Sequence, residues 1–258
     1  MTSENPAHRI PRTVLITGAA KRIGRALAED LGAHGWSVAI HYNGSKDDAD
    51  SVAQNVRASG ARAITLQADL GNADEVAALV PRAAMELGPL GCLINNASIF
   101  ERDEAETVTL ESWERHQAVN LRAPLFLTQA FADQLPAADQ GVVINVIDER
   151  VWRLTPHFVS YTVSKTGLWT LTQTLAMALA PRIRVNAIGP GPTLPSPYQN
   201  QAQFDRQQAR MPLGRGTNPT EICAAARFIL EAPAMTGQMI ALDGGQHLGW
   251  TQDAADHD

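Results

Sequence analysis

The chain has only two cysteines in 258 residues, Cys92 and Cys223, and they form no CxxC spacing. A disulfide framework or thiolate cluster is not expected from so few. Both read as reduced core thiols, Cys92 within an apolar run and Cys223 in a helical pattern. The seven histidines are scattered, with neither HExxH nor a Cys/His cluster, so no metal site is expected. Positive charge is also in deficit, 21 Lys and Arg against 27 Asp and Glu for a net charge of -6. Nucleic acid is therefore not an expected partner, because affinity for a phosphate backbone comes mainly from Lys and Arg. No run approaches the ~20 apolar residues that cross a bilayer. The first twelve residues are polar, with two prolines and no apolar core, unlike a signal peptide or anchor. The expectation is a cytoplasmic protein without membrane contact.

With 45% hydrophobic and 19% charged residues, the composition is that of a folded globular chain. Short runs of Val, Ile and Leu alternate with longer amphipathic stretches. Strands are expected over 13–17, 37–42, 63–67, 92–95, 142–147, 184–188 and 239–242. Helices are expected over 25–34, 47–59, 74–87, 110–134, 157–180 and 219–231, with Pro124 as a candidate kink. Strands that are apolar almost throughout belong to a parallel sheet covered on both faces. The fold class is thus α/β, a single-domain Rossmann fold with a doubly wound, seven-stranded parallel sheet and helices on both faces. The domain spans 12–250, between a flexible tail at 1–11 and an acidic tail at 251–258. Within it, 189–216 is irregular and carries Pro190, Pro192, Pro195, Pro197 and Pro212. Residues 190–216 read as a substrate lid, the alternative being a merely long loop.

The run Thr17-Gly18-Ala19-Ala20-Lys21-Arg22-Ile23-Gly24 lies between the first strand and first helix. There, backbone N–H groups and a helix N-terminus can hold a pyrophosphate; Gly18 permits the tight turn and Gly24 the close packing of helix on strand. A dinucleotide's ribose should lie near the end of the second strand, at His41, Tyr42, Asn43, Gly44, Ser45 and Lys46. An NAD site usually presents a carboxylate here. None occurs before Asp47, whereas Arg22, Ser45 and Lys46 can donate to a 2′-phosphate, so NADPH/NADP is expected over NAD. The other reading of Lys46 is a solvated helix start. Tyr161 and Lys165 are four apart on one helical face, where an ammonium could tune the phenol into a useful acid. Alone, that spacing also fits a surface Lys beside a core Tyr.

Taken together, the glycine turn, Asn95-Asn96-Ala97, Tyr161-x-x-x-Lys165 and Arg184-Val185-Asn186 with Gly189-Pro190-Gly191 resemble the short-chain dehydrogenase/reductase family over about residues 12 to 245. The resemblance implies that Tyr161 donates a proton, that Lys165 also holds the nicotinamide ribose, and that Asn120 is the structural Asn of the central helix. It further implies cofactor contacts from Lys21, Ile23, Asp69, Leu70, Asn96, Ala97, Ser98, Pro190 and Gly191, and a homotetramer or homodimer. One position departs from the family pattern: thirteen residues before Tyr161, where a catalytic Ser is usual, stands Asp148. An ionised carboxyl there would repel the charge developing on a carbonyl oxygen.

The same Asp, with Arg22, Asn96-Ala97-Ser98-Ile99-Phe100 and the His41-Tyr42 pair before Ser45, is similar to the pteridine reductase subgroup. By that resemblance Phe100, Ser98, Arg22, Asp148 and Tyr161 contact a pterin-like substrate. A flat heterocycle rich in N–H donors suits an aromatic platform and a carboxylate, and reducing its C=N bond needs a proton on nitrogen. The expected function is NADPH-dependent reduction of a dihydropteridine or dihydrofolate C=N bond. The alternatives are a carbonyl reductase or alcohol dehydrogenase of another small substrate, and a non-catalytic NADP-binding sensor. Gly44 departs from the subgroup, which often has an Arg there, and shifts the 2′-phosphate onto Arg22, Ser45 and Lys46. Phe100 could instead close the core, and Asp148 could be an outlying hydrogen-bond acceptor. Trp152 and Tyr198 flank the expected cleft, either shaping it or simply packing.

Overall fold

In the computed structural model, residues 9–196 and 198–249 are described; of the tails expected at 1–11 and 251–258, residues 1–8 and all of the second lie outside that range. Seven strands, β1 (Thr13–Ile16), β2 (Ser37–Tyr42), β3 (Ala63–Gln67), β4 (Cys92–Asn95), β5 (Gly141–Val146), β6 (Ile183–Pro190) and β7 (Met239–Leu242), form one sheet in the order β3-β2-β1-β4-β5-β6-β7. Every pairing is parallel. The eight helices among the described residues are α1 (Arg22–Ala33), α2 (Lys46–Ala58), α3 (Ala73–Leu87), α4 (Leu110–Gln117), α5 (Ala123–Gln134), α6 (Val159–Leu179), α7 (Gln201–Ala209) and α8 (Pro219–Glu231).

Successive strand side chains point to opposite faces, and both faces are covered. Val14 and Ile16 of β1 pack with Leu27 and Leu31 of α1 and with Ile222 and Ile229 of α8. Leu15 between them packs on the other face with Leu79 of α3, Leu127 and Phe131 of α5. The strand order reverses between β1 and β4, which opens a crevice beyond their carboxyl ends.

The structure corrects three local expectations. The helix expected over 110–134 is helical throughout but not uniformly α: a wide π-helical turn, Ala118–Arg122, lies between α4 and α5 and buries Asn120. Pro124, the candidate kink, stands two residues past this turn, in the first turn of α5. The stretch 189–216 is not all irregular: β6 runs to Pro190, and α7 starts at a capping box in which Asn200 and Gln203 satisfy each other's backbone N–H groups. Residues 9–11 are held rather than flexible. The Arg9 carbonyl accepts from Gln140 N–H at 3.1 Å, and a Cβ on Gly91 would lie 2.0 Å from the Pro11 oxygen. Among the described residues no helix is long and apolar enough to cross a membrane, and no group of His, Cys, Asp or Glu could hold a metal.

Candidate active site

The glycine turn after β1 is built by mutual exclusion of side chains. Gly18 has a φ of 63°, and a Cβ on Gly24 would stand 2.3 Å from the Gly18 oxygen. Asn96, just past β4, donates from Nδ2 to the carbonyls of Thr17 at 2.8 Å and Gly18 at 3.2 Å. The Thr17 hydroxyl accepts the N–H groups of Asn96 and Ala97. No side chain caps α1, so its first-turn N–H groups are left for a ligand. Gly18, Lys21, Arg22, Ile23 and Gly24 line one end of a cavity of about 1280 Å³, with Asn43, Asp69, Leu70, Asn96, Ala97, Pro190 and Gly191 along it. A cavity of this size, with the uncapped N–H groups of α1 at one end, fits a dinucleotide.

His41 also lines this cavity, but its ring is spent on the turn. Nδ1 accepts the Gly18 N–H at 3.0 Å, so the proton is on Nε2, which donates to the Ala68 carbonyl at 3.0 Å. Burial pushes its pKa down to about 4, against the raising effect of the Ala68 bond. Ser45 and Lys46 do not line the cavity. The Lys46 ammonium pairs with Asp50, which raises its pKa, and Lys21 pairs with Asp48 at 3.0 Å. Arg22 stands in the wall with its guanidinium on the carbonyls of Pro195 at 2.9 Å and Leu194 at 3.3 Å. It therefore ties the turn to the segment expected as a lid. Asp69 caps its own turn, Oδ1 accepting the Gly71 N–H.

At the other end of the cavity, the chain leaving β5 carries Asp148 to α6. Asp148 Oδ1 accepts the Arg150 N–H at 2.8 Å and Oδ2 accepts the Tyr161 hydroxyl at 2.8 Å. Lys165, one turn along α6, donates to the Val146 carbonyl at 2.9 Å, with its ammonium 5.8 Å from the Tyr161 ring centre. The hydrogen-bond partner of the phenol is thus Asp148, while the Lys165 ammonium is taken by the Val146 carbonyl. Burial first, and then the Asp148 carboxylate, push the Tyr161 pKa well above 10, and burial pulls Lys165 down to about 8. The phenol faces a carboxylate more directly than it faces the ammonium.

Asn120 clamps the loop after β4. Its Oδ1 accepts the Ile99 N–H at 2.8 Å, and its Nδ2 donates to the Ile99 carbonyl and to Ser164 Oγ, both at 3.0 Å. Ser98 and Phe100, on either side of Ile99, line the cavity. The Phe100 ring lies edge-on to Tyr161 at 4.8 Å and stacks on Phe158 at 4.4 Å, nearly parallel at 8°. Tyr198 closes the same corner, 6.1 Å from both rings. Trp152 does not line the cavity; it packs edge-on against Trp169 and His247. Sequence reasoning missed Phe158, whose left-handed φ of 59° turns its ring onto Phe100, and Glu149, a buried carboxyl beside Asp148. Neither belongs to a spacing that could have singled it out. Cys92 and Cys223 are both buried and free, and burial raises both thiols, Cys223 to about 12.

Comparison with known proteins agrees with this geometry. Residues 18–247 match a family model described as enoyl-(acyl carrier protein) reductase. The crystal structure of FolM alternative dihydrofolate reductase 1 from Brucella suis, in complex with NADP, superposes with a TM-score of 0.90 at 48% identity, covering 93% of this chain and 97% of that one. The Brucella canis protein of the same name, also with NADP, gives 0.89 and 47% over 96% and 100%. A 3-oxoacyl-[acyl-carrier-protein] reductase, FabG of Staphylococcus aureus, is 29% identical over 93% of this chain and all of its own. The cradle, the Tyr161–Lys165 pair and these matches along nearly the whole chain make this protein a member of the short-chain dehydrogenase/reductase family of oxidoreductases.

Proposed function

We propose that the protein is an NADP-dependent reductase of a pterin-like C=N bond, a dihydropteridine or dihydrofolate. The single observation that carries this reading is the Tyr161–Asp148 hydrogen bond beneath the edge of Phe100. When bound in the cradle, the dinucleotide supplies the hydride. The chain's own residues do the rest. Phe100 offers an aromatic face to a planar ring, and the Asp148 carboxylate accepts from its N–H donors. The proton held along the Tyr161–Asp148 bond goes to the nitrogen that becomes an amine. Lys165 fixes the end of β5 through Val146 and stands ready for the ribose hydroxyls. The Brucella structures named as dihydrofolate reductases, with NADP bound, support both substrate and cofactor. Phe126 of α5 and Val163 and Met177 of α6 are exposed, which supports pairing of these helices in a homodimer or homotetramer.

The reading is tested by Asp148→Ser, assayed with NADPH against a dihydropteridine and against a simple ketone. The expected result is a loss of about 100-fold or more in dihydropteridine reduction while ketone reduction is unchanged or improved. Undiminished dihydropteridine turnover in this variant, or none in the wild type alongside good ketone reduction, would leave the carbonyl reductase as the better description.

A further inference from the structure

Glu149 opens the short helical turn Glu149–Val151 that follows Asp148. It is 5% exposed, lines the catalytic cavity, and its Oε2 atom is buried without a hydrogen-bond partner. Two other buried polar atoms on the same wall, Arg150 Nε and Gln246 Oε1, are likewise unpartnered. An ionised carboxylate with a bare oxygen in such a place is costly, and the neutral acid is favoured.

The surrounding charges reinforce this. The turn packs against α6, β6 and the turn Gln246–Leu248. From its own segment it meets Asp148, Arg150 and Arg153, and from the end of β7 it meets Asp243. From α6 the Tyr161 phenol couples to it, while the Lys165 ammonium is engaged with Val146. His247 is held by Asp243 at 2.7 Å. The two guanidinium groups that could neutralise Glu149 are directed elsewhere, Arg150 to the Thr155 hydroxyl at 2.8 Å and Arg153 to the Gln246 carbonyl at 3.1 Å. Burial first, then Asp148 and Asp243, push the Glu149 pKa up to about 7, the two arginines opposing.

We propose that Glu149 is the proton store of this site, a positioning residue that resupplies the Asp148–Tyr161 pair after each turnover. The inference rests on the reductase reading above. In the transfer, the O–H bond of the Glu149 carboxyl breaks as an O–H bond forms on Asp148, directly or across one water in the cavity. Glu149 becomes a carboxylate and recovers a proton from a solvent acid through the cavity mouth. No electrons change hands in this step, because those of the reduction travel with the hydride.

The test has two arms. In the first, kcat for a dihydropteridine is followed from about pH 6 to about pH 9 in wild type and Glu149→Gln. Wild-type kcat is expected to fall about tenfold in all between about pH 6 and about pH 9, with a midpoint near 7, levelling at the rate of the Gln variant. The Gln variant, of matching shape, is expected to vary less than about twofold and to lie about tenfold below wild type at the acid end. A variant that keeps the wild-type limb with the same midpoint overturns the proposal and leaves the reductase reading standing. In the second arm, infrared titration of ligand-free wild-type protein carrying ¹³C-glutamate follows the protonated carboxyl band. That band should persist at about pH 6 and vanish through about pH 7. Its absence at pH 6 overturns the proposal even if no dihydropteridine is turned over, an outcome that would separately sink the reductase reading.

Discussion

Tyr161 and Asp148, thirteen residues apart, share a 2.8 Å hydrogen bond in which the phenol donates to Oδ2. Burial first, and then the carboxylate, favour the neutral phenol, so Tyr161 holds its proton at neutral pH. Replacing Tyr161 by Phe is expected to lower kcat by ~10²–10⁴ while NADPH affinity, measured by fluorescence, changes little. Unchanged turnover would remove Tyr161 as the donor. Asp148→Asn is expected to bring the ionisation of one of the chain's three tyrosines down in ultraviolet titration, since both effects of the carboxylate are removed.

The imidazole of His41 ties β2 to the glycine turn, and its pH dependence has a definite sign. The folded-state pKa, about 4, is below the ordinary 6.5, so the unfolded chain takes up a proton first as pH falls. The resulting stability is fully present above pH 6.5 and is lost as the pH drops towards 4, up to about 3 kcal/mol in all. Between pH 7 and pH 5, urea denaturation should show wild type losing about 2 kcal/mol more than His41→Gln. Equal losses in the two proteins would show that His41 is not neutral in the fold.

The fold was legible where apolar runs were uninterrupted. Strand 92–95 and helix 219–231 coincide with β4 and α8 because Cys92 to Asn95 are buried throughout and because Asn218 and Pro219 mark the helix start. Periodicity could not reveal the wide turn at Ala118–Arg122, since it changes the helical pitch without changing the apolar pattern. The glycines, Tyr161 and Lys165 could be marked by their spacing together with their places after β1 and on α6, and Asp148 only by the family resemblance. What His41, Lys46 and Arg22 do could not, because each depends on a partner distant along the chain or on an adjacent carboxylate. The His41 ring is needed by Gly18, the Lys46 charge is taken by Asp50, and Arg22 reaches some 170 residues along the chain to Leu194 and Pro195. The Glu149 carboxyl is conspicuous only once folding has buried it.

The Arg22 clamp predicts a measurable effect on the segment beyond β6. Both of its bonds to that segment are to backbone carbonyls, so Arg22→Ala should loosen it without disturbing the sheet. The expected outcome is a rise in substrate KM of about fivefold, the equivalent of one net hydrogen bond of about 1 kcal/mol, and faster proteolysis between residues 190 and 216. Unaltered cleavage there would mean that the segment is held by α7 and its packing alone.

The glycine turn sets the most stringent steric condition in the site. A methyl at position 24 would meet the Gly18 oxygen at 2.3 Å and the Ala19 Cα at 2.9 Å, and the Asn96 amide at 2.6 Å would have to leave its bonds to Thr17 and Gly18. Two of those three neighbours are backbone, so the clash cannot be relieved by a rotamer change, and α1 must move off β1. Gly24→Ala is therefore expected to cost about 2–4 kcal/mol in thermal or urea unfolding and to abolish NADPH binding. Gly44→Ala supplies the comparison, since a Cβ there meets nothing within 4 Å. It should leave stability within about 0.5 kcal/mol and leave binding intact. If Gly24→Ala binds NADPH as wild type does, the turn is not the cradle that the geometry describes.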